Sequence, residues 1–120
     1  MEFHDLKIYQ LSNQLTIKVY SLTKSFPKTE IYGLSDQLKR ASSSIGANIA
    51  EGYGRYHKKD KIRFLHQARG SLYEVQHFLI LSHSLKYINS KTKNNLLQIY
   101  KELAIGINAY IKSINKNLSI

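Results

Sequence analysis

The sequence predicts an all-α fold, an antiparallel up-down four-helix bundle that occupies residues 1–120 as one domain. Three observations predict it. Apolar residues recur three and four positions apart along nearly the whole chain, the spacing that lines one face of a helix, and no strand-like alternation interrupts them. Pro27 is the single proline, and the six glycines are too sparse to break long segments. The stretches between the periodic segments are short, and short connections join antiparallel neighbours.

The first helix is expected from about Leu6 to Ser25, with Ile8, Leu11, Leu15, Val19, Leu22 and Phe26 in one stripe and Asp5 as its cap. Pro27 ends it, because the residue before a proline avoids the helical region. Residues 28–33 connect to a second helix, which runs from Leu34 to about Gly52–Gly54 and carries Leu34, Leu38, Ala41, Ile45 and Ile49 inward. Small residues crowd its middle (Ser42, Ser43, Ser44, Gly46, Ala47), where a neighbouring helix can approach closely. Gly46 there costs about 1 kcal/mol of helix propensity against Ala, which a tight contact would offset. After a turn at residues 54–59, the third helix spans about residues 57–87, roughly 45 Å at 1.5 Å per residue. Ile62, Leu65, Ala68, Leu72, Val75 and Leu79 form one stripe; Phe64, Phe78, Leu81, Leu85 and Ile88 form a second that needs another partner. Asn89-Ser90 makes the last turn, with Ser90 as cap, and the fourth helix runs to about Asn115. Leu96, Tyr100, Leu103, Ile107, Tyr110 and Ile114 step as a heptad seam, widened by Leu97, Ala104 and Ile111.

Several chemistries are excluded or poorly supplied. The chain has no cysteine, so it has no disulfide, thiolate metal site or cysteine nucleophile. Its first residues, Met1-Glu2-Phe3-His4-Asp5, are acidic where a secretory leader is basic. The longest apolar run, Phe78–Leu81, falls far short of the roughly 20 residues that span a bilayer. A cytoplasmic protein without a membrane partner is expected. No two of the histidines at 4, 57, 66, 77 and 83 have the i, i+4 spacing of a helical zinc site. Glu74-Val75-Gln76-His77 is one Glu-x-x-His motif, whereas a di-iron carboxylate site needs two, with further glutamates from two other helices. A phosphate-binding glycine loop and a nucleophile elbow are both missing. The expectation is a protein with no catalytic residue, metal or cofactor.

Two polar features stand out. Arg40, Ser44, Asn48, Glu51 and Arg55 share a face of the second helix, and Ser71 and Glu74 on the third can meet them. The reading favoured for Ser44, Asn48, Glu51, Ser71 and Glu74 is a buried polar network that sets helix register; the alternative is a ligand-facing surface. The second feature is a basic turn. Arg55, Lys58, Lys59, Lys61, Arg63 and Arg69 lie close together, interleaved with Tyr53, Tyr56, His57, Phe64 and His66. All four arginines fall between residues 40 and 69, in a chain of net charge +10. Arginine forks suit phosphate and aromatic faces suit unpaired bases, so Arg40 and the six turn residues are the candidate nucleic-acid contacts.

The runs Gln37-Leu38-Lys39-Arg40-Ala41, Ser44-Ile45, Asn48-Ile49-Ala50-Glu51-Gly52-Tyr53-Gly54-Arg55 and Ala68-Arg69-Gly70-Ser71-Leu72-Tyr73-Glu74, with Phe26-Pro27 and Tyr32-Gly33-Leu34 upstream, resemble the 23S rRNA intervening-sequence protein family, also called the S23 or four-helix-bundle protein family. The resemblance implies an up-down bundle that forms a homopentamer. It also implies similarity to the pentameric accessory protein of diversity-generating retroelements, a basic barrel associated with nucleic acid. The family name records the position of genes within ribosomal RNA insertions, not an activity. Its motif positions fall on Arg40, Ser44, Asn48, Glu51, Gly52, Arg55, Ser71 and Glu74, while Lys39 stands where a second arginine is common and His57 where a serine often starts the third helix. Two functions follow as expectations: an oligomer that binds RNA or DNA through phosphate electrostatics, or a structural or protein-interaction oligomer with no specific nucleic-acid role.

Overall fold

The main apolar stripe of each predicted helix is buried against its neighbours. The computed structural model describes residues 1–118, with side chains through Lys116. A 3₁₀ turn at Phe3–Asp5 precedes α1 (Lys7–Thr23); a second 3₁₀ turn at Lys28–Glu30 leads into α2 (Leu34–Gly54), and α3 (Lys58–Ser84) and α4 (Ser90–Leu118) follow. Among the described residues there is no strand. α1 packs on α2, α2 on α3, α3 on α4, and α1 closes on α4, while the diagonal pairs make no close approach. The directions alternate. Between α1 and α2, Ser12 lies by Gly46 and Thr16 by Ser42, so one number rises as the other falls. The same holds for α2 and α3, from the Ser44–Ser71 pair to Gly52 against Lys61. The product is an up-down four-helix bundle of 52 × 24 × 21 Å.

One core runs the length of the bundle. Leu38, Ile45 and Ile49 of α2, Leu65, Leu72 and Leu79 of α3 and Tyr100, Leu103 and Ile107 of α4 are fully buried, with Leu15 and Val19 of α1. Burial of each such aliphatic side chain is worth about 1.5–3 kcal/mol. The second stripe of α3 divides. Ile88 joins the core, whereas Leu81 and Leu85 stay exposed, and so do Tyr73 and Ile80, which the periodicity did not single out.

The ends of the helices differ from expectation in instructive ways. Asp5 does not cap α1; its carboxylate accepts a hydrogen bond from the Glu2 amide in the preceding turn, and Leu6 stands at the cap without a side-chain bond. Asn89, not Ser90, caps α4: its Oδ1 accepts from the Thr92 amide at 2.8 Å, while the Ser90 hydroxyl pairs with His83 Nε2. α3 stops at Ser84 because Lys86 turns into the left-handed region at φ 67°. There the Lys86 amide donates to the His83 carbonyl and the Tyr87 amide to the Ser82 carbonyl, closing the helix in a Schellman turn without the usual glycine.

That turn delivers Tyr87 to a latch absent from the sequence reading. The Tyr87 hydroxyl donates to Glu30 Oε2 at 2.8 Å, and Glu30 Oε1 accepts from the Leu34 amide at 3.0 Å. Glu30 thus caps α2 and ties the first connection to the last. The Leu34 amide, then the Tyr87 hydroxyl, hold the Glu30 carboxyl below the ordinary carboxylate range, and the same bond raises the Tyr87 phenol.

On α2 the tight helix contact lies at Gly52, not at Gly46 as the small-residue run predicts. A Cβ on Gly46 would meet Ser12 Oγ at 3.4 Å and the Tyr9 ring at 3.5 Å, ordinary contact distances. A Cβ on Gly52 would sit 3.0 Å from the Lys61 carbonyl oxygen and 3.3 Å from Phe64 Cβ, and a backbone oxygen of a packed helix cannot step aside. Gly46→Ala is therefore expected to raise stability by up to about 1 kcal/mol through helix propensity. Gly52→Ala is expected to lower it by about 1–3 kcal/mol through overpacking. Urea unfolding of both variants checks the pair, and shifts of the same sign would refute the assignment.

The Glu30 latch has a pH signature. A carboxyl whose folded-state pKa is depressed contributes stability above its unfolded value, and the contribution is lost as pH falls through the folded value. The wild type should melt above Glu30→Gln at pH 7, and the gap should close below about pH 4.3, the unperturbed glutamate value. A gap independent of pH would show that the carboxylate charge is not what Leu34 and Tyr87 hold.

Candidate nucleic-acid interface

The α2–α3 turn is shaped by what its cations do locally. α2 ends as Arg55 becomes extended, and His57 precedes α3 without a side-chain cap. Lys61 reaches back from α3 and donates from Nζ to the Tyr53 carbonyl at 2.7 Å, satisfying a carbonyl at the C-terminal end of α2. Its ammonium also lies 5.7 Å from the Tyr53 ring centre. Arg55 pairs with Glu51 at 3.2 Å and Arg63 with Asp60 at 3.5 Å. Both guanidiniums lie over the Phe64 ring, their Cζ atoms 4.7 Å and 4.5 Å from its centre. Phe64 therefore holds two planar forks in place rather than offering a bare stacking face. Tyr56, 90% exposed and edge-packed on His57, is the open aromatic surface of the turn.

The remaining expected contacts scatter. Lys59 is exposed at the start of α3. Lys58 lines a cavity of about 450 Å³ with Lys61, Tyr53, Tyr110 and Ser113, where burial raises the Tyr110 phenol above its ordinary value. Arg69 points to α4 and donates to Asn108 Oδ1 at 2.7 Å, a tie between helices. Arg40 is not brought to the turn. It lies about 22 Å up α2 by helical rise and pairs with Asp36 at 2.9 Å.

The polar network is smaller than expected. Ser44 and Ser71 hydroxyls meet at 3.0 Å, and Asn48 Nδ2 donates to the Ser44 carbonyl at 2.9 Å and to its hydroxyl at 3.0 Å. Glu51 stands outside this group, in its exposed pair with Arg55. Glu74 is exposed too, on the rim of a groove of about 380 Å³ between α2 and α3 that Arg40, Ser44, Ser71 and Phe78 also line. Exposed i, i+4 pairs such as Glu51–Arg55 contribute only about 0.2–0.5 kcal/mol. Among the described residues, no three His, Cys, Asp or Glu side chains converge as metal ligands, and no helix is long and apolar enough to cross a membrane.

Cations that are distant in sequence were missed. Lys18 of α1 and Lys91 of α4 flank one groove, and Lys24, Lys28 and Lys39 line another on the opposite side of α1. Only the antiparallel pairing of α1 with α4 brings Lys18 to Lys91, so no local pattern could have shown it.

Comparison with known proteins agrees with this architecture. A crystal structure of a protein of unknown function from the S23 ribosomal protein family of Bacteroides thetaiotaomicron superposes with a TM-score of 0.81 at 21% identity, covering 93% of this chain and 99% of that one. At that identity the likeness speaks for the fold. Among curated proteins, none matches the chain. The family model described as 23S rRNA-intervening sequence protein matches residues 4–109, from the first turn to well inside α4, and the chain belongs to that family.

Proposed function

We propose that this protein is a small, basic, oligomeric bundle that binds nucleic acid, RNA or DNA, through phosphate electrostatics and catalyses no reaction. The observation that carries the reading is the α2–α3 turn, where the Arg55 and Arg63 forks both lie against Phe64 in a turn that also exposes Tyr56. Forks fixed in this way lose little freedom on meeting phosphate, and their exposed pairs with Glu51 and Asp60 are weak enough to exchange for it. A net charge of +10 draws any polyanion at low salt, so binding alone is weak support. The informative quantity is the salt dependence, because each phosphate neutralised contributes about 0.7–0.9 to the slope of log affinity against log salt.

Changing Arg55, Lys59 and Arg63 together to Gln should flatten that slope by about two units for a single strand. Changing Lys7, Lys101 and Lys112 to Gln removes as much charge from other surfaces and should flatten it less. Tyr56→Ala should weaken single-strand binding about tenfold, the order of one lost stacking contact, and leave duplex binding unchanged. Equal losses from the two triple variants would mean diffuse attraction without a site.

One observation favours the second reading, a structural oligomer. Tyr73, Ile80 and Leu81 of α3, and Leu85 at its C-terminal cap, are 54%, 50%, 37% and 45% exposed in the isolated chain. Apolar side chains grouped in this way on one helix mark a contact surface, and the family resemblance points to five copies around a closed ring. Light scattering should give a mass near five times 13.9 kDa. Ile80→Glu should dissociate the particle without unfolding it. A monomeric wild type would remove the oligomer from both readings.

A further inference from the structure

Much of the positive charge at the turn is already engaged locally. Of the turn's cations, Arg55 and Arg63 share theirs with Glu51 and Asp60, and Lys61 donates to a backbone carbonyl. The opposite end differs. Over residues 18–41 and 82–98, lysines outnumber acids seven to two. Both acids are occupied: Glu30 by the Leu34 amide and Tyr87, Asp36 by Arg40. None of those lysines takes part in an ion pair among the described residues.

At this end α1 and α4 part to leave a groove of about 510 Å³. Leu22 and Leu96 form its apolar floor, Ser21, Thr92 and Asn95 bring polar groups, and Lys18 and Lys91 flank it from opposite helices. No carboxylate lines it. Two ammoniums with hydroxyl and amide groups beside a small apolar floor match a phosphate that carries a sugar and base. A second copy of this chain would bring its own surplus of positive charge to the groove. A recess between two helices of a bundle 24 × 21 Å in cross-section admits a strand more readily than a flat bilayer.

We propose that the α1/α4 groove, flanked by Lys18 and Lys91, is a second phosphate-binding surface for a nucleic-acid strand, separate from the α2–α3 turn. It rests on the same reading of the partner as nucleic acid and places a contact at the other end of a bundle 52 Å long. A duplex of about 15 base pairs covers that length at 3.4 Å per base pair, so a long strand can engage both ends and gain affinity by effective concentration.

Lysine acylation read by mass spectrometry tests the proposal on the full chain, with a thymidine pentanucleotide, a thirty-nucleotide strand, inorganic phosphate and anionic phospholipid vesicles as probes. The pentanucleotide should slow modification of Lys18 and Lys91 several-fold while Lys101 and Lys112 react as before. Lys18→Gln/Lys91→Gln, a pair of exposed changes, should lower affinity for the thirty-nucleotide strand more than Lys101→Gln/Lys112→Gln does, with circular dichroism confirming that both variants stay folded. Protection of Lys18 and Lys91 without protection of Lys59 would keep the groove and remove the turn. Protection confined to Lys59 would overturn the groove and keep the turn, and protection at neither would sink both. Equal protection by inorganic phosphate at the same concentration would make the groove a free-anion site and overturn the strand assignment. So would protection by vesicles in place of the strand.

Discussion

The close approach of α2 and α3 is the constraint on which the rest of the structure depends. Two serine hydroxyls can meet at 3.0 Å across the Ser44–Ser71 pair only where nothing larger separates the helices. About two turns along α2, Gly52 lets the Lys61 carbonyl come within 3.0 Å of where a Cβ would stand. The hydroxyl bond itself contributes only about 1 kcal/mol. The larger gain is dispersion, because helices packed at this distance bring many backbone and side-chain atoms into contact. That separation also builds the turn: with α3 this near, Lys61 reaches the Tyr53 carbonyl and Phe64 comes under both Arg55 and Arg63. The candidate interface is thus a consequence of helix packing, and a change at Gly52 would disturb it without touching a single cation.

At the other end polar bonds join the packing of Phe26, Leu34 and Ile88. Lys86 accepts a left-handed backbone, which favours glycine, and thereby brings Tyr87 against Phe26 and into reach of Glu30. Glu30 in turn supplies the cap that Gly33, at the α2 N-terminus, has no side chain to make. The two loops at that end order one another. Two buried polar atoms are less well served: Ser12 Oγ and the Tyr100 hydroxyl lie in the interior with no hydrogen-bond partner among the described residues. Burial pushes the Tyr100 phenol above its ordinary value, as expected where a charge would have no compensation.

The helices and their inward stripes were legible because their information is local. Leu38, Ile45 and Ile49, or Tyr100, Leu103 and Ile107, declare a face by spacing alone, and each is buried. What was not legible depends on pairs of segments. Glu30 looked like one acid among eight until the fold set Tyr87 beside it. Gly46 looked like the close contact because it sits among small residues, yet the space around a glycine is decided by the opposite helix, and Gly52 faces the nearer backbone. The members of the polar line on α2 share a face, and that spacing predicts one network. A helix face is wide, however: only Ser44 meets Ser71, with Asn48 bonded to Ser44, whereas Arg40 and Glu51 pair with Asp36 and Arg55 four residues away. The cations of the basic turn are neighbours in sequence, whereas Lys18 and Lys91 are neighbours only in the fold.

The separation of charge along the bundle has an electrostatic meaning of its own. Exposed charges in physiological salt are screened over about 8 Å, so the α2–α3 turn and the lysine-rich end of a 52 Å molecule do not sense one another through solvent. Repulsion between them therefore costs little, and concentrating the same cations in one patch would cost more. Each end titrates against salt by itself, and a ligand that fits one end gains nothing from the charge at the other. Coupling can arise only through a partner long enough to touch both, in which case the buried core that runs from Ile49 and Leu65 near the turn to Leu79 and Leu96 near the far end fixes the distance the partner must span. Fixed spacing is what a rod of four helices provides and what a flexible basic tail of equal charge would lack. A chain of this composition has reason to be a bundle even if no single cation on it is a specific reader of sequence.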